Sequence, residues 1–196
     1  MEKEDKEHAV EDICRKVLRK VTPDAKERRE TLQFSIELGD NLADRLRSEG
    51  ITADVQIQGS IAKDTWLSGD KDIDVFIALP RAMGKKIFPK VLDVVKSFAG
   101  ERWIEAYAEH PYVEAEIENY KIDFVPCFNI EKAEEAGSSV DRTPLHTTYI
   151  KGHLSQQAKD EVRLLKQFMR GIGTYGAEIK VKGLSGYLCE LLILHY

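Results

Sequence analysis

The stretch GSIAKDTWLSGDKDIDVFIALP, residues 59–80, decides the fold. It opens on a turn-forming Gly59-Ser60 pair and closes on an apolar run, Ile73 to Leu79, that reads as a buried strand. Asp72 and Asp74 stand at the entry to that strand. Residues i and i+2 of a strand point to one face, so the two carboxylates stand side by side while Ile73, Val75 and Ile77 face the core. Carboxylates that close repel each other unless a cation sits between them. Asp70, just outside the strand, reads as a loop residue.

Working outward, the alternating stretch Ala53-Val55-Ile57 predicts a strand before the Gly-Ser turn. A helix-like turn through Thr65 and a polar loop, Ser68 to Lys71, lead into the strand with the two aspartates. A tight turn at a helix start offers exposed N–H groups and a hydroxyl, which suit phosphate. Further on, residues 112–118 and 121–128 predict a hairpin across Glu118-Asn119. Its second strand carries Asp123 between Ile122 and Phe124, so this carboxylate also projects away from its apolar neighbours. Three carboxylates on adjacent strands would hold two hard cations with waters and substrate phosphates, the habit of Mg²⁺. No piece is specific alone. An Asp-x-Asp is more often a solvated strand edge, and Gly-Ser is more often only a turn; their order and spacing make the set specific.

Helical spacing over residues 6–20 (Val10, Ile13, Val17, Leu18, Val21) stops at Thr22-Pro23, where Thr22 is expected to cap a second helix with Pro23 at its first position. That helix places Leu32, Ile36, Leu42 and Leu46 on one face and ends at Gly50. A helix is expected around 84–98 and a strand from Trp103 to Ala108. After a loop from Glu131 to Ser139 come a short helix after Pro144, a longer one about 158–170, and a third from Ser185. The fold class is therefore α+β: a mixed β-sheet flanked by helices over residues 1–150, then the beginning of a helical domain over 151–196. The last helix is still strongly apolar and uncapped at Tyr196, so the natural chain is expected to extend further.

Of the 196 residues, 42% are hydrophobic and 32% charged, a folded rather than disordered balance. No apolar run reaches the roughly 18 residues of a membrane span. The N-terminus, MEKEDKEHAV, is charged and without an apolar signal region, which argues against export. Cys14, Cys127 and Cys189 are odd in number, widely spaced and without a CxxC, which predicts reduced, buried thiols in a cytoplasmic protein and no zinc site. The net charge of −5 is wrong for a protein that holds nucleic acid by broad electrostatic attraction.

GS-(x)₁₁-DIDVF with a third acidic strand residue resembles the signature of the polymerase-β-like nucleotidyltransferase superfamily. Within it, the chain is most similar to the archaeal, class I CCA-adding tRNA nucleotidyltransferases. The likeness is carried by residues 59–80 together with YAEHPYVEAEI (107–117), IDFVPCF (122–128), SSVDRTPLHT (138–147) and EVRLLKQFMRGIGTYGAEIKVKGLSGYLCELL (161–192). It implies the polymerase-β-like fold, with a catalytic domain ahead of a central helical tRNA nucleotidyltransferase domain. Asp72, Asp74 and Asp123 match the metal-binding carboxylates, although the first is often Glu in the family. Gly59 and Ser60 match the turn that holds the triphosphate, and Lys63 stands where the family usually has arginine, keeping the charge but losing the planar fork. His146, Lys166 and Tyr175 match positions that contact the nucleotide's triphosphate and sugar, and Arg142 stands near the nucleotide.

The activity implied is template-independent addition of CMP, CMP and AMP from CTP and ATP to the tRNA 3′ end, with release of pyrophosphate and Mg²⁺ as cofactor. The tRNA would be gripped mostly by later domains, which accommodates an acidic fragment, and a homodimer of the full-length protein is left open. Alternatives are a poly(A) polymerase-like, oligoadenylate synthetase-like or small-molecule nucleotidyltransferase, or a non-catalytic nucleotide-binding module. Without the resemblance the downstream residues read plainly. His146 is a helix N-terminal residue, and Lys166 belongs with Arg163 and Arg170 to a solvated charged face opposite Leu164, Leu165 and Phe168. Tyr175 is then a packed loop tyrosine, Trp66 and Trp103 are core residues, and His110-Pro111 is a turn.

Overall fold

The computed structural model describes residues 2–177 and 181–196. The chain divides into two compact units, one of Arg29–Lys63 with Lys71–Tyr149 and one that joins the chain up to Arg28, Asp64–Asp70 and Ile150–Tyr196. Its helices are α1 (Glu2–Val21), α2 (Ala25–Ser48), α3 (Gly59–Lys63), α4 (Phe88–Ala99), α5 (Thr143–His153), α6 (Gln156–Gly171) and α7 (Gly186–His195). The strands are β1 (Asp54–Gln58), β2 (Asp72–Leu79), β3 (Trp103–Tyr107), β4 (Pro111–Ile117) and β5 (Tyr120–Phe128).

In the first unit the five strands form one sheet in the order β1-β2-β5-β4-β3. Only β2 and β5 run parallel; the other neighbours are antiparallel, so the sheet is mixed and the class is α+β as expected. The register fixes which residues share a face, because side-chain direction alternates with period two. Ile73, Val75 and Ile77 of β2, with Ile122 and Phe124 of β5 and Val113 of β4, are almost fully buried on one face. Helix α2 covers part of that face: Phe34 stacks on Tyr120 with ring centroids 4.3 Å apart, and Gly39 lies against Ile57 and Val55. Helix α4 covers β4 and β5. The opposite face carries the carboxylates at one end, and further along β2 and β5 it turns apolar at Phe76, Ala78 and Cys127.

The second unit packs α1 and α7 on α6. Ile150, Leu154 and Val162 form its small apolar core. Among the described residues, no helix is long and apolar enough to cross a membrane.

Some sequence expectations are corrected. The cap of α2 is Asp24, whose carboxylate accepts from Glu27 N–H at 2.8 Å, and not Thr22. The buried stripe of α2 runs through Thr31, Ser35, Leu38, Leu42 and Leu46, leaving Leu32 and Ile36 exposed. Trp66 is buried, but Trp103 is 37% exposed because β3 is an edge strand; Lys96 lies over its ring. Cys14 is only half-buried. The charged face of α6 points inward: Arg163 and Lys166 are buried while Phe168 is 61% exposed.

Candidate active site

Pairing of β2 with β5 sets Asp74 opposite Asp123, and pairing of β5 with β4 sets Asp123 opposite Glu114. The next row on the same face is Asp72, Lys121 and Glu116. The aspartates expected to act together are therefore brought to one end of one face. Asp72 is exposed; Asp74 and Asp123 are half-buried.

Gly59 joins β1 to α3 with φ +66, a left-handed conformation that favours glycine. A Cβ built there would stand 1.7 Å from Asp74 Oδ2. The turn therefore lies directly on the Asp74 carboxylate, and only a residue without a side chain allows that approach. Ser60 follows at the start of α3, half-buried, and Lys63 at its end is buried.

Crowding of carboxylates appears in Asp123. Burial first, and then Asp74, push its carboxyl up to about 6, against some relief from Lys121. Its Oδ1 is buried with no hydrogen-bond partner among the described residues. Lys121 responds in the opposite sense: burial lowers it, but Asp123, Glu114 and Asp72 together hold its ammonium above the ordinary value.

A buried carboxylate oxygen without a donor, between other oxygen donors of like charge, suits a hard divalent cation. The three aspartates fit such an ion by donor chemistry, although no three His, Cys, Asp or Glu side chains among the described residues already converge as a ligand cluster.

The loop after β5 supplies the cationic side. Asp141 is buried and accepts from the N–H groups of Phe128 (2.8 Å), Gly137 (2.9 Å) and Ser138 (3.0 Å), which ties the loop to the end of β5. The exposed Arg142 follows directly, and His146 lies in the first turns of α5. Burial, then the charges of Lys63 and Arg142, lower the His146 pKa, which places the imidazole beside these two cations.

Lys166 and Tyr175 belong to the other unit. Lys166 Nζ donates to Thr65 O at 2.9 Å and to Thr65 Oγ1 at 3.2 Å, and pairs with the fully buried Glu190 at 3.7 Å. Burial pushes the Tyr175 hydroxyl up to about 12, and Arg170 lies 5.1 Å from its ring centroid. Beside Lys166, Arg163 donates to Trp66 O (3.1 Å), Asp64 O (2.6 Å) and Asp64 Oδ1 (2.8 Å). Arg170 grips Asp70 through both oxygens. Asp70 is thus a structural loop residue.

The sequence reading passed over Glu114, Lys121 and Tyr112. Tyr112 donates to Glu114 Oε1 at 2.9 Å, and Lys121 Nζ is 3.5 Å from Glu114 Oε2. Their signal was present: Lys121 is two residues from Asp123, and the hairpin sets Glu114 opposite Asp123.

This fold belongs to a known class. A family model described as a nucleotidyltransferase domain matches residues 40–146, more than half of the chain, and the chain belongs to that family. Solved structures agree on the fold: the Cid1 poly(U) polymerase bound to Mg 3′-dATP (TM-score 0.65, 18% identity, 94% of this chain and 54% of that one) and CdnC of E. coli with ATP (0.62, 17%, 92% and 64%). The polymerase-β-like nucleotidyltransferase fold expected from residues 59–80 is thus the observed one.

More particular relatives are CCA-adding enzymes of archaea. The chain is 45% identical to that of Sulfurisphaera tokodaii over 94% of its own length and 43% of the relative's. It is 45% identical to that of Sulfolobus acidocaldarius over 92% and 42%, and 48% identical to that of Saccharolobus solfataricus over 73% and 35%. A second model, described as the second domain of tRNA nucleotidyltransferase, matches residues 160–196. The chain spans less than half the length of these relatives. The nucleotidyltransferase family generally uses divalent metal ions.

Proposed function

We propose that the chain is the catalytic part of a CCA-adding tRNA nucleotidyltransferase, which adds CMP, CMP and AMP from CTP and ATP to the tRNA 3′ end and releases pyrophosphate. One observation carries the chemistry: the Gly59 turn pressed on Asp74, beside the unpartnered Oδ1 of Asp123. The substrate rests on the CCA-adding relatives, 45–48% identical over most of this chain. The catalytic part corresponds to residues 1–150, and 151–196 to the beginning of the helical domain. A cytoplasmic location goes with this reading, in keeping with three free cysteines.

Asp72, Asp74 and Asp123 would hold Mg²⁺, which supplies positive charge for the attacking hydroxyl and for the departing pyrophosphate. Asp123 orients the acceptor's 3′-hydroxyl and draws on its proton. Gly59 and Ser60 cradle the triphosphate at the β1 flank, where the missing Gly59 side chain lets the turn lie against Asp74. Lys63 and Arg142 supply fixed positive charge to that side, and the His146 ring beside them offers a hydrogen bond to the nucleotide. Lys166 and Tyr175 are proposed contacts of the triphosphate and sugar on the family pattern.

The test is transfer from each labelled NTP, with Mg²⁺, to tRNA lacking CCA, against poly(A) primers and aminoglycosides. Incorporation of C and then A into the tRNA alone supports the proposal; transfer only to poly(A) or to a small molecule replaces it. Asp74→Asn should abolish turnover with the fold intact by circular dichroism, and surviving activity would remove the metal assignment.

A further inference from the structure

The sheet gives the site two flanks. The phosphate-side groups gather where β1 runs into α3, with Lys63 and Arg142 acting on His146. In an in-line displacement the attacking and leaving oxygens lie on opposite sides of phosphorus. The acceptor must therefore come from the β5–β4–β3 side. A groove of about 650 Å³ opens over that side, with Asp72, Ile104, Glu114, Glu116 and Lys121 in its lining.

We infer that Glu114, held by Tyr112, accepts the 2′-hydroxyl of the acceptor's last ribose and makes the site selective for an RNA end over a DNA end. The inference rests on the transfer reading proposed above. Glu114 is the register partner of Asp123 on the same face, and such partners have Cβ atoms about 4.5–5.5 Å apart. A ribose carries its 2′- and 3′-oxygens on adjacent carbons, so a 3′-hydroxyl at Asp123 leaves the 2′-hydroxyl within reach of the neighbouring strand β4, where Glu114 stands.

Glu114 is prepared for this contact. Its Oε1 takes the Tyr112 hydroxyl at 2.9 Å and its Oε2 faces Lys121 at 3.5 Å, which fixes the carboxylate plane. Each carboxylate oxygen accepts more than one hydrogen bond, so capacity remains for an incoming O–H. Burial, then Glu114 itself, push Tyr112 up to about 12, so its hydroxyl remains a donor to Glu114. A 2′-deoxy end brings no donor and leaves the carboxylate one hydrogen bond short in the bound complex, a kind of mismatch that discriminates strongly.

The experiment uses the 196-residue chain with Mg²⁺, labelled CTP and short single-stranded acceptors that differ only in a ribose or 2′-deoxyribose at the 3′ residue. Wild type should favour the ribose end by about tenfold to a hundredfold in kcat/KM, the range of one hydrogen bond to a charged group. Glu114→Ala should bring the ratio close to one, and Glu114→Gln, whose amide oxygen still accepts, should keep most of it. A merely structural role would slow both acceptors alike and leave the ratio unchanged. NMR titration of the labelled chain with the same two oligonucleotides, without nucleotide, should show tighter binding of the ribose end at the amides of residues 112–116.

Wild-type transfer with the same ratio in Glu114→Ala overturns this inference alone, as does equal binding of the two ends. Absence of transfer by wild type to any acceptor removes the transfer reading and this inference with it.

Discussion

Gly59→Ala probes the closest approach in the site. Alanine at φ +66 adopts a left-handed conformation that costs about 1–2 kcal/mol. The new methyl would lie 1.7 Å from Asp74 Oδ2 and 2.7 Å from its Cγ, so the carboxylate must leave its present rotamer. Asp74 is half-buried and can turn toward solvent, so the second cost falls on the site rather than on the fold. In a chain of this length each kcal/mol lowers Tm by about 2–4 °C, which gives a drop of about 2–8 °C. A displaced carboxylate at the proposed metal site should lower nucleotidyl transfer about a hundredfold or more.

Thermal unfolding followed by circular dichroism, with and without Mg²⁺ and ATP, separates the two effects: the variant should fold but gain no stability from Mg²⁺-nucleotide. Wild-type turnover by Gly59→Ala, or a stability gain from Mg²⁺-nucleotide equal to that of wild type, would refute the reasoning.

Other perturbations test the remaining physics. Asp123 has a folded-state pKa raised to about 6 from 3.8, chiefly by burial, so its contribution to stability is fully present below about pH 4 and is lost as pH rises through 6. In EDTA, urea unfolding should show Asp123→Asn gaining roughly 2–3 kcal/mol on wild type between pH 4 and 7.5, and parallel pH profiles would sink the assignment. Arg163→Met removes the fully buried guanidinium that holds Asp64, Trp66 and Asp160, and should cost about 3 kcal/mol in the same measurement; a loss below 1 kcal/mol would mean that the group is not buried in solution. Lys166→Met should destabilise the chain without nucleotide because Glu190 is buried beside it, and adding Glu190→Gln should restore part of that stability. Nucleotide affinity measured on the double variant then decides the role of Lys166, since recovery of affinity along with stability would reduce it to a clamp on Thr65.

The site was legible where period two governs. Asp74 and Asp123 are each flanked by apolar residues that must face a core, and Asp72 stands two residues before Asp74, so their shared direction follows from local chemistry once β2 and β5 pair. The pairing of β2 with β5 is long-range, which hid the rows it builds, whereas Glu114 and Lys121 lie in the local β4–β5 hairpin and went unread although their signal was in the sequence. Gly59 was legible as a turn but not as a contact, because its distance to Asp74 depends on how β1 meets β2.

Helix α6 shows why the remainder was hidden. Hydropathy assigns Leu164, Leu165 and Phe168 to the core and Arg163, Lys166 and Arg170 to water, yet Arg163 and Lys166 are the buried members. Burial of a charge is tolerable only where donors find acceptors. Here the acceptors are backbone carbonyls of Asp64, Thr65 and Trp66 and the carboxylates of Asp64 and Glu190. Those partners come from residues 64–66 and from position 190, far from α6 in the chain, so no window of sequence around α6 contains the reason for its orientation. The same separation gives these cations their consequence: the segment they grip, 64–70, leads directly from the Gly59–Lys63 turn to Asp72. A variant that loosens it should therefore disturb the proposed phosphate turn and the first carboxylate together, through the chain itself.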